Sequence, residues 1–365
     1  LQNTISAFEE IKTWKGYSIT PLHSLDSLAS DIGIKNIYYK DESSRFGLGS
    51  FKALGGTYGV LKFIHHALQK EVGDKVSIKD IHAGKYSKQI SKYTVTTATD
   101  GNHGRSVAFG AKLFGCKCQI YIHSEVSSGR QKAMEDLEAN VTRISGNYDE
   151  SLRICIVDAE KNNWHVISDT SYEGYTKYPR YIMAGYNVMA EEIVSQLNNL
   201  PFPTHVFLQG GVGSFPGAIC GYFWEKFPNN NIKFIVVESE HAPCLIRSAQ
   251  NNQMTSVDIK KETMMAGLSC GEPSLLGWTI LSKGVDDFIT ISDASIPESM
   301  RLLAKNRPSI EAGESSVAGL EGLMQTMNNK KVAEKMSLDS NSIVLLFGTE
   351  GATDPEIYDE IINTT

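Results

Sequence analysis

Short runs of β-branched and aliphatic residues alternate along this chain with longer stretches whose apolar positions recur every three to four residues. The runs at 36–39, 93–97, 119–123, 141–144, 165–167, 205–208, 233–237, 288–291 and 343–347 predict strands. The stretches at 104–114, 129–138, 151–161, 181–196 and 217–227 predict helices, with a further one running from Lys52 to about His66. The strands are continuously apolar rather than alternating, the pattern of parallel strands covered on both faces. They fall into two clusters, at about 90–170 and about 200–350, which predicts two sheets and therefore two lobes. No internal repeat, low-complexity tract or long Pro/Gly linker separates the clusters, so an active site is expected in the crevice between the lobes. The expected fold is α/β, each lobe holding a mostly parallel sheet flanked by helices.

Composition narrows what such a fold would do. With 365 residues, 41% hydrophobic and 21% charged, the chain reads as a globular enzyme whose core needs no disulfide or metal staple. A net charge of −7 offers no basic footprint, which argues against nucleic acid or an anionic membrane as partner and for a small-molecule substrate. No apolar run approaches the roughly 20 residues of a membrane span. The first ten residues have no basic or apolar region of the signal-peptide kind, so cytoplasm is the expected compartment. Six cysteines in a chain this long do not make a secreted disulfide framework. Cys116 and Cys118 lack a zinc spacing, the histidines form no ligand cluster, and no metal is expected.

Four strand-to-helix junctions carry candidate chemistry. Gln209-Gly210-Gly211-Val212-Gly213-Ser214 follows the strand at 205–208 and precedes a helix opened by Pro216. Its glycines let backbone N–H groups approach an anion, and a helix N-terminus adds positive dipole, so it reads as a phosphate cup. A tight structural turn would look similar, and Gly211, Gly213 and Gly217 also come close to a dinucleotide fingerprint. The Lys-Ser/Thr pair of a nucleotide P-loop is absent. At the second junction, Lys52 opens a helix after the charged, glycine-bearing loop 41–49. Alone it reads as a surface lysine, but Phe51, Ala53 and Leu54 point to burial. There the helix field and desolvation would lower its pKa and favour attack on an aldehyde. At the third, Thr97-Ala98-Thr99-Asp100-Gly101-Asn102-His103-Gly104 can bind a ring hydroxyl through Asn102 and a carboxylate through backbone amides, or merely cap a helix. At the fourth, Thr349, in Gly348-Thr349-Glu350-Gly351, offers a hydroxyl to a pyridine nitrogen, or simply a turn.

The order Ser-Phe-Lys, Gly-Asn-His-Gly, Gly-Gly-x-Gly-Ser and a late hydroxyl loop resembles fold-type II (tryptophan synthase β-like) pyridoxal-phosphate enzymes, and in detail the diaminopropionate ammonia-lyases. The stretches that carry the resemblance are Tyr39-Lys40-Asp41-Glu42-Ser43, Arg45-Phe46-Gly47-Leu48, Phe51-Lys52, and Asp100-Gly101-Asn102-His103-Gly104-Arg105. To these add Asp169 to Tyr175, Met265 to Pro273, Thr349-Glu350-Gly351 and Thr353-Asp354, so nearly the whole chain is covered. Where the family has Asn-Ala before Phe-Lys, this chain has Gly49-Ser50, a step toward the general dehydratase pattern.

The resemblance implies pyridoxal phosphate as cofactor, with Lys52 holding it as a Schiff base. It implies that Gly210, Gly211, Val212, Gly213 and Ser214 bind its phosphate, that Asn102 contacts the phenolic oxygen, and that Thr349 faces the ring nitrogen. It further implies residues 1–56 and 180–365 as a large cofactor-binding domain, 57–179 as a small domain, and a homodimer. The implied substrate is 2,3-diaminopropionate, with serine as second candidate, and the implied acid/base groups are Asp100 and Asp169. A carboxylate at position 100, where serine and threonine dehydratases commonly carry a hydroxyl, would attract a β-ammonium group. Two carboxylates on opposite faces would take the α-proton from either enantiomer, although Lys52 competes as base and Asp169 would also suit a helix cap.

Rival readings are a serine or threonine dehydratase, a β-replacement enzyme, and a nicotinamide-dependent oxidoreductase using Glu238, which lies about where that reading needs an acid. Cys244 and Cys270 could face each other near the site, with free thiols the expectation in a reducing compartment. His103 is expected to be structural.

Overall fold

The computed structural model describes residues 2–73, 75–99, 101–146 and 148–364. The ten strands among the described residues are β1 (Leu22–Ser24), β2 (Asn36–Asp41), β3 (Thr94–Ala98), β4 (Lys117–Ile122), β5 (Asn140–Arg143), β6 (His165–Val166), β7 (His205–Gln209), β8 (Lys233–Ser239), β9 (Asp287–Ile291) and β10 (Ile343–Gly348). They form a six-stranded sheet in the order β1-β2-β10-β7-β8-β9 and a four-stranded sheet in the order β5-β4-β3-β6. All pairings are parallel except β1 with β2. Two mostly parallel sheets are what continuous apolar strands separated by helices demand. β1 has only three residues, too few to show a period, and is the strand that the pattern missed.

Successive side chains of the large sheet serve two cores. On β10, Ile343, Leu345 and Phe347 enter a core that also takes Val95 and Ile120 from the small sheet. Val344 and Leu346 point the other way, among Leu320, Leu323 and Met300. The first core therefore spans both lobes, and the lobes share packing rather than a linker.

Helix boundaries moved for local reasons. The helix expected at 129–138 ends at Glu135, and Glu138 takes a left-handed φ of 66°. The expected 181–196 helix is two, Lys177–Tyr186 and Val188–Gln196, meeting at Asn187, whose amide donates to Thr4 Oγ1 at 3.0 Å. The helix expected at 217–227 starts earlier, at Ser214, with Pro216 in the first turn, where no backbone donor is missed. The Lys52 helix runs past His66 to Val72.

Candidate active site

The C-terminal ends of β2, β3, β6, β7 and β10 lead into the segments that hold Lys52, Asn102, Asp169, the 210–214 turn and Thr349. This is the edge at which ligands gather in open α/β sheets. Lys52 starts the helix Lys52–Val72, and Ser50 Oγ accepts its backbone N–H at 3.3 Å. One turn on, a Cβ on Gly56 would stand 2.3 Å from Ser106 Oγ, so only glycine lets this helix lie against the helix Asn102–Phe114. Thr57 seals the contact, its N–H donating to Ser106 Oγ at 3.0 Å and its hydroxyl to the Ser106 carbonyl at 2.9 Å. The elements that carry Lys52 and Asn102 are thereby fixed to each other.

Lys52 Nζ is paired with Asp169 Oδ2. Their side chains are 21% and 13% exposed, open enough for a ligand to reach both. The ammonium also lies 5.5 Å and 5.6 Å from the ring centres of Phe51 and Tyr186. Burial pulls the lysine pKa down, but the charge and hydrogen bond of Asp169, with Tyr186 and Cys270, together hold the group above its ordinary value. The sequence-based expectation of a lowered pKa is therefore corrected, because the charge and hydrogen bond of Asp169, joined by Tyr186 and Cys270, together exceed desolvation. Burial likewise pushes the Asp169 carboxyl up, while His103 and Lys52 bring it well below the usual carboxylate range. Asp169 caps no helix: Tyr186 Oη donates to it at 3.4 Å, and His103 Nδ1 stands 3.8 Å away. His103 is anchored by its other nitrogen, Nε2, 2.8 Å from the Ile167 carbonyl, and burial keeps its pKa low.

The 210–214 turn is a cradle. Gly211 and Gly213 take φ of 57° and 92°, left-handed values that glycine adopts without strain. The helix Ser214–Lys226 begins directly behind it, and its first N–H groups have no intrahelical acceptor. Ser214 Oγ donates to the Asp169 carbonyl at 2.5 Å, so the group that Ser214 offers an anion is its N–H. Phe51 and Phe215 meet with ring centres 4.8 Å apart, joining the lysine to the cradle. Thr349 is buried, its hydroxyl 3.5 Å from Ser316 Oγ and its carbonyl accepting from Phe51 N at 3.1 Å. Asn102 donates from Nδ2 to Glu350 Oε2. Asp100 lies outside the described residues.

Pyridoxal phosphate fits these groups. An amine stands beside a proton-accepting carboxylate, an amide-lined turn at a helix N-terminus suits a dianionic phosphate, and a buried hydroxyl lies at the next strand end. Glu238, which the nicotinamide reading needs, is engaged elsewhere: it accepts from Leu245 N at 2.8 Å and Ile246 N at 2.7 Å, closing the start of the helix Cys244–Asn251. That position denies it to a ribose. No disulfide joins Cys244 to Cys270, and Cys244 Sγ donates to the Gly211 carbonyl at 3.6 Å. Sequence reasoning did not single out Glu350 or Tyr186. Glu350 is adjacent to Thr349 and could have been found through it, whereas Tyr186 lies on a helix that signalled only core.

A family profile described as pyridoxal-phosphate dependent enzyme matches residues 13–348. The diaminopropionate ammonia-lyase of Salmonella typhimurium is 38% identical over 362 residues, spanning 96% of this chain and 89% of that one. Escherichia coli diaminopropionate ammonia-lyase, solved in complex with an aminoacrylate-PLP azomethine reaction intermediate, has a TM-score of 0.89 at 35% identity, covering 99% of this chain and 92% of that chain. The same enzyme in complex with D-serine also gives 0.89 at 35% identity, covering 100% and 92%. Similarity that runs the length of the chain, across all the strand ends that assemble the Lys52 site, settles its kinship: the chain belongs to the pyridoxal-phosphate dependent enzymes and, among them, to the diaminopropionate ammonia-lyase family.

Proposed function

We propose that this protein catalyses α,β-elimination of 2,3-diaminopropionate to pyruvate and ammonia, with Lys52 carrying pyridoxal phosphate. The observation that supports it most directly is the Lys52–Asp169 pair, placed beside the amide-lined turn 210–214. When bound, the cofactor supplies an electron sink for negative charge at the substrate α-carbon. Gly210, Gly211, Val212, Gly213 and Ser214 would hold its phosphate, Asn102 its phenolic oxygen, and Thr349 its ring nitrogen.

Asp169 Oδ2 first accepts the proton that Lys52 Nζ must give up to become a nucleophile. Once that proton has passed to solvent, the Asp169 carboxylate would act as base toward the α-proton of one substrate enantiomer, and Asp100 toward that of the other. The carboxylate of Asp100 would attract the β-ammonium group, which already carries the proton with which it departs as ammonia. Loss of the β-amine leaves aminoacrylate, which one water converts to pyruvate and a second ammonia.

A second reading, elimination of water from D-serine, draws support from the D-serine complex of the Escherichia coli relative and from Gly49-Ser50. We place the lobe boundaries at 56/57 and 179/180, since β3 to β6 fall between them and the other strands outside. A cytoplasmic homodimer completes the reading. No helix among the described residues is long and apolar enough to cross a membrane, no disulfide joins the six cysteines, and Trp224 leaves 47% of its surface open for a subunit contact.

The test is to add each enantiomer of diaminopropionate and of serine to the holoenzyme and assay pyruvate and ammonia. Two ammonia per pyruvate from diaminopropionate is the expected result. Turnover of serine alone would overturn the main reading, and a protein that takes up no pyridoxal phosphate would overturn both.

A further inference from the structure

Glu350 is a buried carboxylate in the middle of the site, only 5% exposed, with no part in the chemistry described above. Its backbone is clamped. Its N–H donates to Ser316 Oγ at 2.6 Å, and its carbonyl accepts from Ser316 Oγ and, at 3.1 Å, from Gly313 N. Its residue also bridges to Ser50 in the loop that presents Lys52. The side chain has two engagements: Oε1 accepts from Ser315 N at 3.2 Å, and Oε2 accepts from Asn102 Nδ2. The second contact crosses between lobes, since Asn102 follows β3 of the small sheet and Glu350 follows β10 of the large one.

An amide side chain is nearly symmetric in shape, and its two ends are set by what they face. A carboxylate only accepts, so Glu350 obliges Asn102 to turn its Nδ2 end inward. An amide nitrogen carries two hydrogens. One is taken by Glu350, which leaves the other as a donor. We propose that Glu350 is a positioning residue: it fixes the polarity of the Asn102 amide so that a donor, and not the Oδ1 acceptor, is presented to the phenolic oxygen of the cofactor. The inference rests on the family reading of Asn102 as the phenolic-oxygen contact.

Charged side chains of both signs surround Glu350. Arg105 lies within its field, which opposes the loss of guanidinium charge that burial favours, and burial together with the Glu350 charge raises the neighbouring Glu314 carboxyl. Among the described residues Arg105 Nε has no hydrogen-bond partner, and the Glu350 oxygens accept from Ser315 N and Asn102 Nδ2.

The test is a double-mutant cycle on cofactor binding by the apoprotein, with Glu350→Ala, Asn102→Ala and the pair, reading the Kd for pyridoxal phosphate and the pH midpoint of the visible absorbance. Glu350→Ala is expected to weaken binding about tenfold and to move the midpoint in the same direction as Asn102→Ala. In the Asn102→Ala background, adding Glu350→Ala should change neither reading further. Multiplicative losses would overturn the inference, because Glu350 would then act without Asn102. An unchanged Kd and midpoint in Glu350→Ala would overturn it as well. Should the alanine variant fold poorly, Glu350→Met, of similar volume and without an oxygen acceptor, runs the same cycle. A wild-type chain that takes up no cofactor would overturn the family reading itself, and this inference with it.

Discussion

Two clusters of buried charge lie within a few residues of each other in sequence and behave in opposite ways. Around Arg45, which is 1% exposed, every charge is matched and every donor used. Arg45 donates to Glu42, Glu192, Thr20 and the Ser18 carbonyl, while Lys40 donates to Glu192, Gln196 and the Thr20 carbonyl. Tyr17 adds a bond to Glu192 at 2.8 Å. Around Lys52 the charges are also paired, but capacity is left over: His103 Nδ1 is buried without a hydrogen-bond partner, and the pair remains partly open. Both clusters shift the titration of their members. What separates a scaffold from a site is whether the hydrogen-bonding capacity is spent, not the size of the shift.

Lys52→Ala gives the widest separation. Activity should fall by at least about 10³-fold with the visible absorbance of the bound cofactor lost, because the nucleophile is gone. Chemical denaturation should change little, since the lysine is not part of a saturated network. A variant that keeps the absorbance would break the comparison at its functional end.

Glu192→Gln tests the other end. It removes the anion shared by Arg45, Lys40 and Tyr17, leaving buried cations uncompensated, and should cost about 3–5 kcal/mol in urea unfolding. Turnover per folded molecule should be nearly unchanged. Loss of turnover at unchanged stability would mean that the network belongs to the site.

Asp169→Asn probes the pairing within the site and should lower turnover by about 10²–10⁴-fold. Its pH signature has a definite sign. In the wild type the carboxylate keeps Lys52 protonated to higher pH than an ordinary lysine, so uptake of pyridoxal phosphate by the apoprotein, which needs the neutral amine, rises late with pH. In the variant, only Tyr186 and Cys270 oppose burial, and the rise should move to lower pH. An unmoved profile would show that Asp169 does not control the amine.

The strands and the two-lobe plan were legible because parallel strands advertise themselves as apolar runs. Eight-residue stretches such as Gly101 to Ala108 place a turn before a helix whatever the tertiary structure. Lys52 was legible only through its companions at the other strand ends, since a lysine after Phe51 carries no signal of its own. What could not be read was set by long-range contact. The sign of the Lys52 shift depends on Asp169, 117 residues away in sequence, and the Asn102 orientation depends on Glu350, 248 residues away. Glu238 sits at the right separation from the glycines for a nucleotide enzyme, and only its bonds to Leu245 and Ile246 reveal it as a helix cap.

The smallest effect comes from a group whose pKa is displaced with no site attached. His165 stacks on Phe63 with ring centres 4.0 Å apart and an interplanar angle of 8°, its Nε2 buried without a partner. Burial, then the charges of Lys177 and Lys70, push its pKa down to about 4. A histidine with a folded pKa below its unfolded value costs nothing at neutral pH, where both states are uncharged. As pH falls below about 6.5 the unfolded chain takes up a proton that the folded chain refuses, so stability declines until the folded pKa is reached. His165→Phe keeps the ring stack and removes that proton, and should recover about 1 kcal/mol of the stability lost between pH 7 and pH 5.5. Activity at neutral pH should not change. If urea midpoints of the variant and wild type fall in parallel on acidification, His165 is not protonating on unfolding. The same result with a drop in turnover would place it in the site, and a displaced pKa would then mark function even far from Lys52.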